Sequence, residues 1–297
     1  MPHTLVATLV ANPSNPGVTD EVIAAAARAL GHEPEHSVLA RGIAADLIFS
    51  GEAKAAEHAI RAALKGLSID VIVQPLADRR KRLFLADMDS TMIGQECIDE
   101  LADFVGLKAE VSEITERAMR GEIAFEPALR ERVSLLKNLP VGVVDEIIRE
   151  RITLTPGGRA LVETIRAKGG YTCLVSGGFT LFTGPISAMI GFNEHRSNLL
   201  LVEDERLSGE VAEPILGKAA KLATLRELRE RLGLQAHETL ATGDGANDLA
   251  MLEEAGLGVA FHAKPAVAAA AHARIEHADL SALIYAQGYR AEDIVSG

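Results

Sequence analysis

Along the first quarter of the chain, the spacing of apolar residues switches between a strand period and a helix period. "TLVATLVA" (4–11) predicts a strand. "TDEVIAAAARALG" (19–31) predicts a helix, with Thr19 placed to cap its start and Gly31 to end it. "EPEHSVLARG" and "IAADLIFSG" predict two further strands. "EAKAAEHAIRAALKGL" predicts a second amphipathic helix, with Ala56, Ile60, Ala63 and Leu64 as its apolar positions, and "SIDVIVQP" a fourth strand.

The order β-α-β-β-α-β is that of the ferredoxin-like split unit. It predicts a first domain over 1–76, with the basic run "ADRRK" (77–81) as a solvated linker. From residue 82 to 297 strand and helix patterns alternate, with short apolar strands at 82–87, 171–176, 238–243 and 257–261. Alternation of this kind predicts an α/β, Rossmann-like core, a parallel sheet covered by helices on both faces. Residues 95–150 break the rhythm. They are rich in helix formers and show no strand, so they predict a helical insertion after the first core strand. "NLLLVEDERLSGEV" (198–211) predicts a hairpin appended to the sheet, and the Ala-rich tract at 266–273 a helix.

Composition narrows the partners. The chain has 297 residues, 48% of them apolar, so a large core is feasible. It has no Trp and a net charge of −12, which argues against nucleic acid or an anionic membrane as the main partner. No apolar run reaches the ~20 residues of a membrane span, and the N-terminal segment lacks the pattern of a signal peptide. Cys97 and Cys173 have no metal-like spacing and are expected as buried free thiols. A cytoplasmic protein is expected.

In an open parallel sheet, ligands bind beyond the carboxyl ends of the strands. "DMDST" (87–91), "SGGF" (176–179) and "GDGAND" (243–248) fall at such ends, and "GKAAK" (217–221) lies on the helix leading into the third strand. Asp87 and Asp89, spaced i, i+2, aim the same way on an extended backbone and repel unless a cation intervenes or one stays protonated. Asp244 and Asp248 add two more acids. Oxygen ligands of this kind suit Mg²⁺, although any single aspartate could equally be a turn or cap residue. Gly177 and Gly178 let backbone N–H groups approach an anion, although Ser-Gly-Gly is also an ordinary turn. Lys218 or Lys221 contributes only if it points back at that site.

Taken together and in this order, the four clusters resemble the haloacid dehalogenase-like (HAD) phosphohydrolase superfamily. "DSTMIGQECIDELA", "ERAMRGEIAFEPALRERVSLLKNLP", "LVSGGF" and "TGDGANDLAMLEEAGLGVAFHAKP" resemble its phosphoserine phosphatase branch. The resemblance implies Mg²⁺-dependent hydrolysis of O-phosphoserine, the final step of serine biosynthesis. Asp87 would be the nucleophile that forms an aspartyl-phosphate, and Asp89 the general acid and base. Ser176, Gly177, Lys221 and Asn247 would hold the phosphoryl group. Asp87, Asp89 (through its carbonyl), Asp244 and Asp248 would form the metal site. In the cap, Glu96 would hold the substrate ammonium and Arg132 its carboxylate, with Met119 and Phe125 closing over it. Arg130, two residues away, should face elsewhere, and His262 should be structural. The first domain resembles an ACT-like regulatory module, with dimerisation as one role. A phosphotransferase shares the intermediate and stays open. A regulatory protein with a vestigial core is disfavoured by the complete residue set, as is a P-type ATPase fragment by the "DMDST" motif and the lack of a membrane segment.

Overall fold

The computed structural model describes residues 4–31, 33–119 and 122–295, of which Met119 is described by its backbone only. The chain opens with β1 (Thr4–Ala11), α1 (Asp20–Ala29), β2 (Glu35–Ala40), β3 (Ala44–Ser50), α2 (Ala53–Ala63) and β4 (Ile69–Pro75). The strands form an antiparallel sheet in the order β2-β3-β1-β4. Thr19 caps α1 by accepting the Val22 N–H, and the Glu52 carboxylate caps α2 by accepting from Lys54 and Ala55. Strand alternation divides the apolar residues between two faces. Leu5, Ala7, Leu9 and Ala11 pack in one cluster with Ile23 and Ile60 of the helices. Val10 and Ile72 pack in another, with Phe84, Tyr285 and Tyr289 of the following unit.

That unit begins with β5 (Leu83–Ala86), then α3 (Cys97–Phe104), α4 (Lys108–Met119), α5 (Phe125–Leu135) and α6 (Val143–Glu150). Next come α7 (Gly158–Ala167), β6 (Tyr171–Phe179), α8 (Thr180–Ile190) and β7 (Glu194–Asn198). The hairpin β8 (Leu200–Glu203) and β9 (Arg206–Val211) precedes α9 (Lys218–Arg231) and β10 (Thr239–Gly243). The chain ends with α10 (Leu249–Glu254), β11 (Leu257–Phe261), α11 (Pro265–Ala270), β12 (Ala273–Ile275) and α12 (Ala282–Ala286). Six parallel strands line up as β12-β11-β10-β5-β6-β7. From β5 the chain steps outward one way through β6 and β7, then returns to fill the other side from β10. The reversal puts a crevice at the carboxyl ends of β5 and β10. Cap helices α3–α6 are inserted between β5 and α7, and the entry and exit strands of this insertion are bridged at Ile93 and Leu154.

Three expectations need correction. The hairpin is not part of the main sheet. It is a separate two-stranded unit whose β9 side pairs with cap residues 138–141 through Asn138, Leu139 and Val141 backbone bonds. The Ala-rich tract stays helical only to Ala270, and its last residue begins β12. The basic linker is built into the joint: Arg79 pairs with Asp46 at 2.7 Å, Arg80 lies 4.8 Å over the Tyr289 ring, and the Lys81 ammonium donates to the His237 carbonyl at 2.7 Å. Among the described residues no helix is long and apolar enough to cross a membrane. Cys97 and Cys173 are free and buried.

Candidate active site

β5 is apolar and fully buried because it lies mid-sheet between β10 and β6. Just beyond it the backbone stays extended at Asp87 and Asp89 and turns left-handed at Ser90 (φ 54°). Both acids line one cleft of about 500 Å³, but their partners differ. Asp87 accepts the Met88 N–H at 2.7 Å and pairs with the Lys221 ammonium at 2.7 Å. Asp89 accepts the Cys97 N–H at 2.9 Å through one oxygen and the Ser176 hydroxyl at 3.2 Å through the other. It therefore joins the start of the cap to the end of β6.

Lys221, one turn into α9, is 3% exposed and also contacts Asp248 at 2.6 Å. Burial opposes its charge, but the Asp87 and Asp248 carboxylates outweigh that and hold its pKa above the usual lysine value. Lys218 is exposed. Asp248 folds back beneath β10, where its second oxygen accepts the Gly245 N–H at 3.0 Å. A Cβ on Gly243 would sit 2.4 Å from the Asp248 carboxylate, so the turn requires glycine there. Asp244 accepts the Thr91 hydroxyl at 3.1 Å. Burial raises the carboxyl pKa of Asp89 and of Asp244.

Asp87, Asp244 and Asp248 can each offer an oxygen within 4.8 Å of one another. With all three ionised these acids outnumber the neighbouring Lys221 ammonium by two, and burial, which raises the pKa of Asp87 and of Asp244, marks that deficit as costly. An all-oxygen set with that deficit fits a hard divalent cation. Asp89 is not among these three; its two carboxylate oxygens accept from Cys97 and Ser176.

The β6 end bulges away from β7, since the register shifts between Val175 and Phe179. Ser176, Gly177 and Gly178 occupy this bulge and line the cleft. The Gly178 N–H donates to Ser176 Oγ at 2.8 Å, and a Cβ on Gly178 would lie 3.0 Å from that hydroxyl. Asn247 lines the opposite wall and is exposed.

The cap supplies the outer wall through Glu96, Asp99, Thr115, Phe125, Leu129 and Arg132. Glu96 accepts the Ser90 hydroxyl at 2.6 Å. Removal from bulk water, then the Asp89 charge, pushes its pKa up to about 7. Arg132 donates to the Ala128 carbonyl at 3.3 Å and to Thr115 Oγ1 at 3.4 Å; burial lowers its pKa, and the Asp99 and Glu96 charges offset this only in part. Arg130 points away and pairs with Glu213. The Phe125 ring, 43% exposed, reaches over the turn: Cβ positions on Gly177 and Gly217 would lie 3.8 and 3.4 Å from it. The Met119 side chain lies outside the described residues. His262 bonds the Ala278 carbonyl at 2.8 Å, away from the cleft.

Sequence reasoning missed Thr91, Asp99 and Lys264 as site residues. Thr91 stands in the quoted "DMDST". Asp99 lies one turn after Glu96, and that spacing alone placed it on the same face. Lys264 lines the cleft, and its N–H reaches the Asp244 carbonyl at 3.4 Å, which nothing in "FHAKP" signalled.

Residues 84–253 match the family model for haloacid dehalogenase-like hydrolases. The chain belongs to that family. Among curated relatives, a phosphoserine phosphatase from Streptomyces coelicolor is 42% identical over 236 residues, covering 80% of this chain and 57% of the relative. The chain thus spans little more than half of that protein's length. A phosphoserine phosphatase from Polaromonas sp. is 43% identical over 224 residues, covering 74% of this chain and 95% of the relative. The crystal structure of a probable phosphoserine phosphatase from Vibrio cholerae superposes with a TM-score of 0.78 at 31% identity, covering 96% of this chain and 87% of that one.

Proposed function

We propose that this HAD hydrolase is a Mg²⁺-dependent phosphatase that converts O-phospho-L-serine to serine and phosphate, as the last step of serine biosynthesis. The observation that supports it most is the polarity of one cleft. Its floor gathers Asp87, Asp89 and the Ser176–Gly178 turn, and its outer wall sets Glu96 against Arg132. A phosphomonoester with an ammonium and a carboxylate at its far end matches both ends. The phosphoserine phosphatases among its relatives support the same substrate.

In this reading Asp87 attacks phosphorus and forms an aspartyl-phosphate, while the serine oxygen leaves with the proton of Asp89. The raised pKa of Asp89 keeps that proton available. Asp89 then takes a proton from water, which attacks phosphorus and restores the Asp87 carboxylate. Ser176, the Gly177 N–H, Asn247 and Lys221 stabilise the charge that spreads over the phosphoryl oxygens. The carboxylates of Asp87 and Asp244 and the Asp89 carbonyl would hold Mg²⁺, with Asp248 orienting the set. When bound, the ion neutralises these carboxylates and polarises the phosphoryl group. Glu96 and Arg132 orient the amino-acid end, and Phe125 shields the reacting centre from water.

The test is phosphate release from O-phosphoserine beside phosphoethanolamine, phosphoglycerate and hexose phosphates, each with Mg²⁺. O-Phosphoserine should give the highest kcat/KM. A preference for hexose phosphates would overturn the substrate and leave the reaction class. Asp87→Asn should abolish turnover; substantial residual activity would overturn the nucleophile assignment.

A further inference from the structure

Asn198 ends β7 and is 1% exposed, outside the residues that line the cleft. Its amide nitrogen donates to the Gly177 carbonyl at 2.8 Å and to the Leu216 carbonyl at 3.2 Å. Its amide oxygen accepts the Leu216 N–H at 2.7 Å. No other uncharged side chain of this size offers both two donors and an acceptor apart from an amide.

The positions of these partners matter. Gly177 is the middle of the bulge that β6 makes against β7, and Asn198 pairs with Phe179 where the register resumes. The peptide whose carbonyl Asn198 holds also carries the Gly178 N–H, which bonds Ser176 Oγ. Leu216 directly precedes Gly217, the N-cap residue of α9, and α9 delivers Lys221. One side chain therefore fixes the Ser176–Gly178 turn and the α9 start relative to each other from beneath, while Phe125 packs on both glycines from the cap side.

The chain between Asn198 and Leu216 adds a reason for such a tie. It leaves the core as the β8–β9 hairpin, and the hairpin bonds the cap through Asn138, Leu139 and Val141. Arg130 of the cap also pairs with Glu213 near the return of the excursion. The loop is thus joined to the cap away from the core, and the Asn198 amide closes it at its base, beside the Ser176–Gly178 turn and the start of α9.

We infer that Asn198 is a positioning residue for phosphoryl transfer: it holds the Ser176–Gly178 turn and the N-terminal turn of α9, with Lys221, at a fixed separation. The inference rests on the phosphatase reading above, and only on its phosphoryl end. Replacing Asn198 by Asp keeps the shape and the acceptor for Leu216 but sets an oxygen against two carbonyls. Replacing it by Ala removes all three bonds.

The experiment compares Asn198→Asp and Asn198→Ala with the wild-type chain on O-phosphoserine and on p-nitrophenyl phosphate, which has no amino-acid end. Inorganic phosphate serves as a competitive probe, and near-UV circular dichroism reports the folded fraction. In the folded protein, kcat/KM should fall on the order of 100-fold on both substrates, the scale of a small misplacement of catalytic groups. Inhibition by phosphate should weaken by about tenfold, which loss of folded protein alone does not produce. Folded variants with kcat and phosphate inhibition within about twofold of wild type would overturn the inference. So would a loss confined to O-phosphoserine, since that would place the defect at the cap end. A wild-type chain inactive on both substrates would instead remove the phosphatase reading, and this one with it.

Discussion

Lys221 and Asp87 form an ion pair of 2.7 Å with both side chains less than a tenth exposed. The same ammonium also holds Asp248 at 2.6 Å, so a single cation from α9 fastens the ends of β5 and β10 together. Asp244 lies beside them as a third acid, and among the described residues Lys221 pairs with Asp87 and Asp248 but not with it. The arrangement has the charge pattern of a site completed by a divalent ion.

Lys221→Met should therefore be destabilising by about 3–5 kcal/mol, the usual result of removing one member of a buried ionic set. It should also slow turnover by about 100-fold or more, as loss of a charge-stabilising donor does. Because the variant leaves the acids uncompensated, Mg²⁺ should raise its unfolding midpoint more than it raises that of the wild type. Denaturant melts in Mg²⁺ and in EDTA measure this. Equal stabilisation of the two proteins would show that the acids and Lys221 are not one electrostatic unit.

Glu96 makes the pH dependence specific. Burial, then the Asp89 charge, pushes its carboxyl pKa up to about 7 in the folded chain, well above the ~4.3 of a free glutamate. The folded state thus retains a proton that the unfolded state has lost, so this residue's contribution to stability is fullest below the unfolded value and is lost as pH rises through about 7. Binding of an ammonium has the opposite preference, because it requires the carboxylate. For O-phosphoserine, kcat/KM should therefore rise through neutrality, and Glu96→Gln should remove that rise while keeping the substrate's own titration. A pH–rate profile unchanged in Glu96→Gln would place the ammonium elsewhere.

Arg132 and Arg130 separate a binding role from a surface role on one helix. Arg132 lines the cleft, whereas Arg130 pairs with Glu213 at the surface. Arg132→Ala should raise KM for O-phosphoserine by about 10–100-fold, the loss of a charged fork on a carboxylate. Its effect on p-nitrophenyl phosphate should be small. Arg130→Ala should stay within about twofold on both, as exposed pairs contribute ~0–1 kcal/mol. Steady-state kinetics on the two substrates decide it.

Legibility in the sequence followed the physics of each element. β5 and its acids stood out because a mid-sheet strand must be apolar and a carboxylate at its end must have a reason. β7, "EHRSN", did not read as a strand, because an edge strand can carry charge: Glu194 and Arg196 pair with Arg231 and Glu227 of α9. β12 is only "ARI", too short for a period to show. Asn198 was invisible, since its importance lies in contacts with Gly177 and Leu216 that only the folded chain creates. Asp70, a charged residue inside the strand "IDVIVQP", gave no hint of its partner for the same reason.

That partner is the far end of the chain. Asp70 is fully buried and accepts the backbone N–H groups of Glu276, His277 and Ala278 at 2.8, 3.0 and 2.8 Å. Beside it, Gln74 donates to the Ala286 carbonyl at 2.7 Å. The held segment accepts in turn from His262 through the Ala278 carbonyl, and two residues past His262 the Lys264 N–H reaches the Asp244 carbonyl. The N-terminal sheet thus braces the loop that carries Asp244, one of the three clustered acids. Asp70→Ala leaves N–H groups unpaired, at ~1–3 kcal/mol each where burial excludes water, so a loss of about 3 kcal/mol or more is expected. Since the two units share one apolar cluster, the wild-type chain should unfold in one cooperative transition. In Asp70→Ala the midpoint should fall, and half-maximal activation should need more Mg²⁺ than in the wild type, because the Asp244 loop is less firmly held. Two separate wild-type transitions, or a variant with unchanged midpoint and Mg²⁺ requirement, would show that the N-terminal sheet is a passenger on the hydrolase core.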